Sequence, residues 1–548
     1  MRIALVNTNF VEQSTPNFML NFEAGLLSLG AVLEREGYQT EIVNLFRFVR
    51  EDKLALDSSF PESAASAIIK RKAAILGFNS RCDTYPVALD IARRCKMRNP
   101  GSLIVIGGPQ ATFTDRETLA NFPFVDVIVR GEGEATFLEL AGCFKENRGL
   151  GGVRGITYRK GKKIIRNPAR ELIKNLDSLP FPAYPLLGKY MPSSAELKEG
   201  WAYIAVGRGC PYNCTFCSTG RMWRRCYRLR SPGKIFEEID YLKKNYGIKR
   251  FYLGHDNFFT SKKDVMEIAG LLLKNKTDIE WTCSSRVDSI DAELLEAAYL
   301  SGCRRIFFGV ESGSRRMQKI FGKNINPEHA LKAIEDCGRF NIYAILSFIM
   351  GFPEEKEEDL NATLKLAIKI RIAGNGYPYL RPLTPIAGTE VFLKNRKRLV
   401  LRDTWDTLYS IGKLIRSSPW SRGVIEKYPQ IFSNFYLIKS RYLPEYLAHE
   451  AGVFFSVLIC AYPRSLYVVL EKTKLEPLDL MAKFKLWAGS KRLVYRDKTR
   501  APHYRQILLY FPDFLEDFYK GADFSKFPKE IVGYEKRRCN FLHNRIGC

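Results

Sequence analysis

Twice along this chain, short apolar runs alternate with stretches of helical spacing, and that alternation leaves few folds open. The first series fills residues 1 to about 150, with runs at 3–6, 40–44, 73–78, 103–106 and 125–129 and helical spacing over 24–36 and 85–98. Short, nearly continuous apolar runs predict strands buried on both faces, hence a parallel, doubly wound α/β sheet covered by helices. Ligands of such sheets sit beyond the carboxyl ends of the strands. Those ends carry Asn7, Asn79, Ser80, Gly107, Gly108, Gly131, Glu132 and Gly133. Glycines at such positions let a large flat ligand approach the backbone.

Residues 151–200 read as a connector. It holds a hairpin turning at Lys160-Gly161, then an extended stretch punctuated by Pro180, Pro182 and Pro185. The second series fills residues 201–390. Strands are expected at 203–206, 250–253, 279–283, 305–309, 344–349 and 376–380, with helices at 233–245, 327–339 and 357–372. Six such units make an open, partial (β/α)6 barrel whose reacting groups lie at the strand carboxyl ends. Residues 391–548 are basic and mainly helical, as at 444–459 and 477–487. They are expected to pack over the open barrel edge and shape a substrate pocket.

Directly after the first strand of the second series comes Gly207-Arg208-Gly209-Cys210-Pro211-Tyr212-Asn213-Cys214-Thr215-Phe216-Cys217. Cys210, Cys214 and Cys217 can hold three irons of one cubane cluster, which is normally tied by four cysteines. The fourth iron is then open to a substrate or cosubstrate. Buried structural cysteines rarely crowd so closely on a loop. A zinc site would want a fourth Cys or His at a paired spacing, and Cys226, among Arg224, Arg225 and Arg228, has none.

This loop resembles the cluster loop of the radical S-adenosylmethionine (SAM) enzymes, in which an aromatic residue, here Phe216, precedes the last cysteine. In that family the open iron chelates SAM, and the reduced cluster cleaves it to a 5′-deoxyadenosyl radical. Further landmarks follow in order: Gly254-His255-Asp256-Asn257-Phe258, Ser285-Arg286-Val287-Asp288, Gly309-Val310-Glu311-Ser312-Gly313, Met350-Gly351-Phe352-Pro353-Glu354-Glu355 and Pro385-Ile386-Ala387-Gly388-Thr389. The resemblance implies that Asp256, Arg286 and Glu311 converge on SAM beside Phe216, with Glu311 on the cosubstrate itself. A structural Asp256–Arg286 ion pair is the plainer alternative.

Placed before such a core, the first domain resembles the cobalamin-binding domain of the B12-dependent branch of that family. Gly107-Gly108-Pro109-Gln110-Ala111-Thr112 and Gly131-Glu132-Gly133-Glu134 carry this likeness, with Gln110 where His is more usual. The five histidines are His255, His329, His449, His503 and His543, so none lies in the first domain. The resemblance implies cobalamin without a protein histidine on cobalt. It implies a C-methyltransferase acting on an unactivated carbon through the deoxyadenosyl radical and methylcobalamin, supplied with electrons by a donor such as flavodoxin or ferredoxin. Other outcomes are an oxidase or cyclase, a tRNA methylthiotransferase, or a non-catalytic cobalamin or redox sensor. The methylthiotransferase would want a second cluster in the first domain, where Cys82, Cys95 and Cys143 lack the expected Gly-Cys setting.

Composition narrows the setting. The 13 cysteines form no regular framework, which places the chain in a reducing, cytoplasmic compartment, as an oxygen-sensitive cluster needs. Net charge is +26, and roughly half of the excess lies after Glu390. That fits nucleic acid, an anionic substrate, an acidic membrane surface or simply a basic exterior. Nothing resembles a DNA-reading helix pair, which argues against nucleic acid. The apolar run 451–462 is too short to span a bilayer. It reads as a core helix, with a lipid-like substrate or a peripheral membrane contact as the alternative.

Overall fold

The computed structural model describes residues 1–9, 19–20, 23–402, 409–493, 504–520 and 531–536. They divide into two compact units. One comprises Met1–Cys283, Leu300–Gly302 and Thr384–Leu437; the other comprises Ser284–Tyr299, Cys303–Leu383 and Ile438–Cys548.

The first unit contains the expected nucleotide-type sheet. Its strands lie in the order Gln39–Asn44, Arg2–Asn7, Ile75–Asn79, Leu103–Gly107, Val127–Val129, Ile156–Lys160 and Lys163–Arg166. The first five are parallel. The last two are the hairpin predicted at Lys160-Gly161, and they extend the sheet antiparallel instead of forming a separate connector. Residues such as Ile3, Leu5, Ile75, Leu76, Ile104 and Ile106 are fully buried. Continuous burial is why these runs show no alternation of polar and apolar residues. The helix Tyr85–Arg98 falls on its predicted bounds.

The region after the barrel departs from expectation. The helices Tyr409–Ser417 and Pro419–Lys427 do not belong with the later tail but pack on the helix Tyr85–Arg98. Leu414, Ile415, Val424, Ile425, Phe432 and Phe435 share one core with Val87, Leu89, Ile91 and Phe122. Trp420 lies 6.1 Å from the Phe122 ring, under the Arg93 guanidinium at 5.2 Å. Ser418 donates to the buried Asp90 carboxylate at 3.3 Å. Gln110, at the position where His is more usual, donates to the Ile431 carbonyl. The segment Thr384–Leu437 thus completes the first domain's core, which corrects the expectation that everything after residue 390 covers the barrel edge.

The first three strands of the second series, Trp201–Ala205, Arg250–Gly254 and Glu280–Arg286, are parallel, with Met19–Leu20 added beside Trp201–Ala205. The last three, Cys303–Glu311, Tyr343–Met350 and Gly376–Pro382, are parallel in the second unit. There the helix Leu447–Ala461 packs on the strand Gly376–Pro382 and on the helices Glu357–Ile372, Pro463–Thr473 and Tyr504–Lys520. Ala451, Phe454, Phe455, Leu458 and Ile459 are buried in it, as a core helix requires. No single helix among the described residues is long and apolar enough to cross a membrane.

Candidate active site

The cluster loop starts from a two-residue ladder in the first unit. Gly207 and Arg208 pair antiparallel with Leu229 and Arg228. Gly209 follows at φ +94°, and a Cβ there would collide with the Cys226 carbonyl oxygen, so only glycine fits. The Gly209 N–H donates to Asp256 Oδ2 at 2.9 Å, and Thr219 Oγ1 donates to Asp256 Oδ1 at 3.1 Å. Asp256, just beyond the carboxyl end of the strand Arg250–Gly254, therefore grips both sides of the loop. The Cys217 N–H closes onto the Cys214 carbonyl at 3.1 Å, and the Val391 N–H reaches the Thr215 carbonyl at 3.0 Å. The Pro-x-x-Gly-Thr segment that precedes Val391 is itself pinned, since Ser433 donates to the Pro385 carbonyl at 2.6 Å.

Cys210, Cys214 and Cys217 are half-buried and not disulfide-bonded, and Phe216 between them is half-buried as well. Among the described residues no three His, Cys, Asp or Glu side chains converge tightly enough for a single ion. A cubane asks for something else: each thiolate takes a different iron, so the sulfurs stand apart on one loop. The donor set and the backbone grip fit a cluster. Cys82 and Cys95 do not compete for that role, because burial raises the Cys82 thiol to about 11 and the Cys95 thiol to about 12.

In the second unit Glu311 ends the strand Cys303–Glu311 at φ +73°, beside a register shift between Gly309 and Glu311. A non-glycine residue in the left-handed region is strained, and such strain gathers at functional sites. Lys323 Nζ, 7% exposed, donates to Glu311 Oε1 at 2.6 Å. Arg286 donates to the Lys323 carbonyl at 2.9 Å and pairs with Asp288 at 2.7 Å. The structure thus joins Glu311 and Arg286 through Lys323, which sequence reasoning missed. Gly309 leaves room for this pair, since a Cβ there would meet the Glu311 carboxylate and the Lys323 ammonium.

At the carboxyl ends of the first sheet lies a row of amides and hydroxyls. The Thr8 N–H donates to Asn79 Oδ1 at 2.9 Å, and Asn79 donates to Asn7 at 3.3 Å. Asn9 donates to Glu23 at 2.9 Å, and burial raises the Glu23 carboxyl above its ordinary range. Ser80 Oγ donates to the Gly107 carbonyl at 2.7 Å and accepts from the Ala111 N–H at 3.1 Å. Gly131, at φ +73°, has nothing within 4 Å of its Cβ position, whereas Gly108 at φ +103° packs directly on the Ser80 backbone. Open space at Gly131, ordinary clearance at Gly107 and Gly133 and an amide-rich rim suit a flat ligand bearing many amides, as cobalamin does. Gly108 serves internal packing instead. The Glu132 side chain is engaged within the protein. Its oxygens accept from Arg208 at 2.6 Å, Arg228 at 3.0 Å and the Ile173 N–H at 2.7 Å.

A loop of three cysteines at the first strand of a β/α series, behind a histidine-free nucleotide-type domain, defines an enzyme class built around a cluster with one open iron. Comparison with known proteins agrees. The Radical SAM superfamily profile matches residues 204–367, and the B12 binding domain profile matches residues 21–141. An uncharacterized methyltransferase of Pyrococcus horikoshii is 32% identical over 433 residues, covering 78% of this chain and 91% of the relative. The anaerobic magnesium-protoporphyrin IX monomethyl ester cyclase of Synechocystis is 26% identical over 414 residues, covering 72% of this chain and 78% of the relative. The fold matches the radical SAM methyltransferase TsrM of Kitasatospora setae, solved with cobalamin and a [4Fe–4S] cluster, with a TM-score of 0.59 at 15% identity over 84% of this chain and 94% of that one. The chain belongs to the cobalamin-dependent radical SAM enzymes, whose cofactors are a [4Fe–4S] cluster, SAM and cobalamin.

Proposed function

We propose that this enzyme transfers a methyl group to an unactivated carbon of a small molecule. The carrying observation is the pairing of a three-cysteine loop with an amide-lined, histidine-free strand-end row in one chain. When bound, the cluster and SAM supply hydrogen abstraction and cobalamin supplies the methyl group. The protein's own residues hold and orient. Asp256 fixes the cluster loop, Cys210, Cys214 and Cys217 tie the cluster, and Asn79, Ser80, Gly107, Gly131 and Gly133 border the cobalamin face. Methyl transfer is favoured by the names of the relatives, the Pyrococcus methyltransferase foremost, while the Synechocystis cyclase supports the rival outcome. Incubation with deuteriomethyl-SAM and mass spectrometry of the product separates them. Three deuterons in the product support methyl transfer; turnover to an unlabelled, oxidised or cyclised product overturns it.

Glu311 is proposed to bind SAM through the oxygen that Lys323 does not hold. Loss of a charge-assisted hydrogen bond costs roughly 1.5–3 kcal/mol, so Glu311→Gln is expected to weaken SAM binding by about tenfold or more. Iron content should stay at the wild-type level. Unchanged SAM affinity, measured by equilibrium dialysis, would mean that Glu311 only neutralises the buried Lys323.

The electron donor is proposed to be a small acidic redox protein. Beside the cluster loop, a cavity of about 380 Å³ is lined by Asn213, Gly220, Arg221, Arg224, Arg225 and Glu390. Asn213 and the three arginines are exposed, and Asn213 directly precedes Cys214. Opposite charge steers such encounters and is screened by salt. Reversing Arg221, Arg224 and Arg225 to Glu is expected to slow turnover about tenfold with reduced flavodoxin and to leave turnover with dithionite unchanged. Equal rates with flavodoxin would place the donor elsewhere.

A further inference from the structure

The loop Gly131–Glu132–Gly133–Glu134 and the ladder that launches the cluster loop are tied by buried charge. Arg208 Nη1 donates to Glu132 Oε1 at 2.6 Å, and Arg208 Nη2 donates to Glu134 Oε1 at 2.6 Å. Arg228 stands directly opposite Arg208 in the ladder, and it donates to both oxygens of Glu132, at 3.0 Å and 3.1 Å. Two guanidiniums facing each other across a ladder repel; Glu132 lies between them and reverses that. Ser28 Oγ fixes the Glu134 carboxylate from the other side at 2.8 Å. Burial would raise the Glu134 carboxyl, but the Arg208 charge and the hydrogen bonds from Arg208, the backbone and Ser28 together hold the group below its ordinary range. The Trp223 ring covers both arginines, with its centroid 6.0 Å from the Arg208 guanidinium and 5.5 Å from that of Arg228. Glu132 and Glu134 flank Gly133 at the rim assigned above to cobalamin, and Arg208 stands two residues before Cys210.

We infer that Arg208 is a positioning residue through which the cobalamin-bearing loop sets the conformation of the cluster loop, so that cobalamin occupancy is felt at the three cysteines. This rests on the cobalamin reading of the Gly131–Gly133 rim. The ties favour it over a merely stabilising role. Glu132 lies in the loop and Glu134 opens the helix Glu134–Lys145 that directly follows it, the two arginines belong to the two strands of one ladder, and two peptide bonds separate Arg208 from Cys210. A shift of the Gly131–Gly133 backbone on binding therefore has no slack in which to dissipate before it reaches Cys210. Coupling of this kind needs a contiguous arrangement that both sites bias.

The test uses the full-length protein with its cluster, with and without hydroxocobalamin. Hydrogen exchange of residues 207–217 and EPR of the reduced cluster are the readouts. In the wild type, hydroxocobalamin is expected to slow exchange in this loop by about tenfold and to shift the EPR line shape. In Arg208→Gln and in the milder Glu134→Gln, cobalamin should still bind, while both effects shrink to about twofold or less. Arg208→Lys, which keeps one charge, should restore part of the effect. Wild-type protein that binds cobalamin with no change in loop exchange or EPR overturns the inference. So do variants that retain the full cobalamin effect, and so do variants whose loop is loosened equally with and without cobalamin. Wild-type protein that binds no cobalamin instead overturns the reading on which the inference rests.

Discussion

A Cys214→Ala enzyme, reconstituted anaerobically with iron and sulfide, is expected to form no 5′-deoxyadenosine from SAM. The same holds for Cys210→Ala and Cys217→Ala. The three thiolates are proposed to take one iron each, and among the described residues no other cysteine lies on this loop. Cys95 and Cys143 are buried in the first domain, and the raised Cys95 thiol is a poor ligand. Cys226 is exposed and bonds only weakly to the Arg224 carbonyl at 3.6 Å, so Cys226→Ala is the matched control and should keep turnover. Losing one of three ligands leaves two irons open, and a cluster held by two cysteines is lost or rearranged during reduction. The substitutions should spare cobalamin binding, because the amide row and the Gly131 rim belong to a sheet with its own core. Retained cobalamin with absent deoxyadenosine is the expected pair of results. Wild-type deoxyadenosine formation by Cys214→Ala, with iron restored, would remove the loop from the chemistry.

What could be read before the structure follows the range of the forces involved. Strands and helices are local, and their traces are strong: Tyr85–Arg98 and Glu357–Ile372 fall on their predicted bounds. All six strands of the second series, from Trp201–Ala205 to Gly376–Pro382, lie within a few residues of expectation. The cysteine loop is legible for the same reason, since its ligands are neighbours in the chain. Partnerships across long separations leave no periodic trace. Glu132 looked like a ligand-facing residue because it follows a strand, but its partners Arg208 and Arg228 lie 76 and 96 residues away. Lys323 carries no motif, and only the fold brings it under Glu311. The helices Tyr409–Ser417 and Pro419–Lys427 show an apolar face in the sequence, but such a face does not say which core it will join. The placement of Phe432 and Phe435 beside Phe122 and Tyr85 was therefore out of reach.

The cobalt in this enzyme is expected to carry no protein nitrogen. His503 and His543 lie outside the described residues, and His329 and His449 belong to helices of the second unit. His255 is the described histidine of the first unit, and the structure uses both of its ring nitrogens. Nδ1 accepts the Asn257 N–H at 2.9 Å, which leaves the proton on Nε2 to face the Arg228 carbonyl at 3.3 Å. Tyr227 lies 4.6 Å from the ring, and the imidazole packs so closely on Gly207 that a Cβ there would strike it. Burial lowers its pKa to about 4, so it stays neutral near neutral pH. Because the unfolded value is about 6.5, unfolding takes up a proton in acid, and stability falls as pH drops from about 6.5 toward 4. His255 is thus part of the packing beneath the cluster loop. Protein loaded with cobalamin should show a base-off visible spectrum, and its Co(II) EPR should lack hyperfine splitting from an axial nitrogen. His255→Ala should leave those spectra unchanged while lowering iron retention. An axial-nitrogen pattern that disappears in His255→Ala would show that the imidazole leaves its packed position to reach the cobalt, and would overturn this account of the first domain.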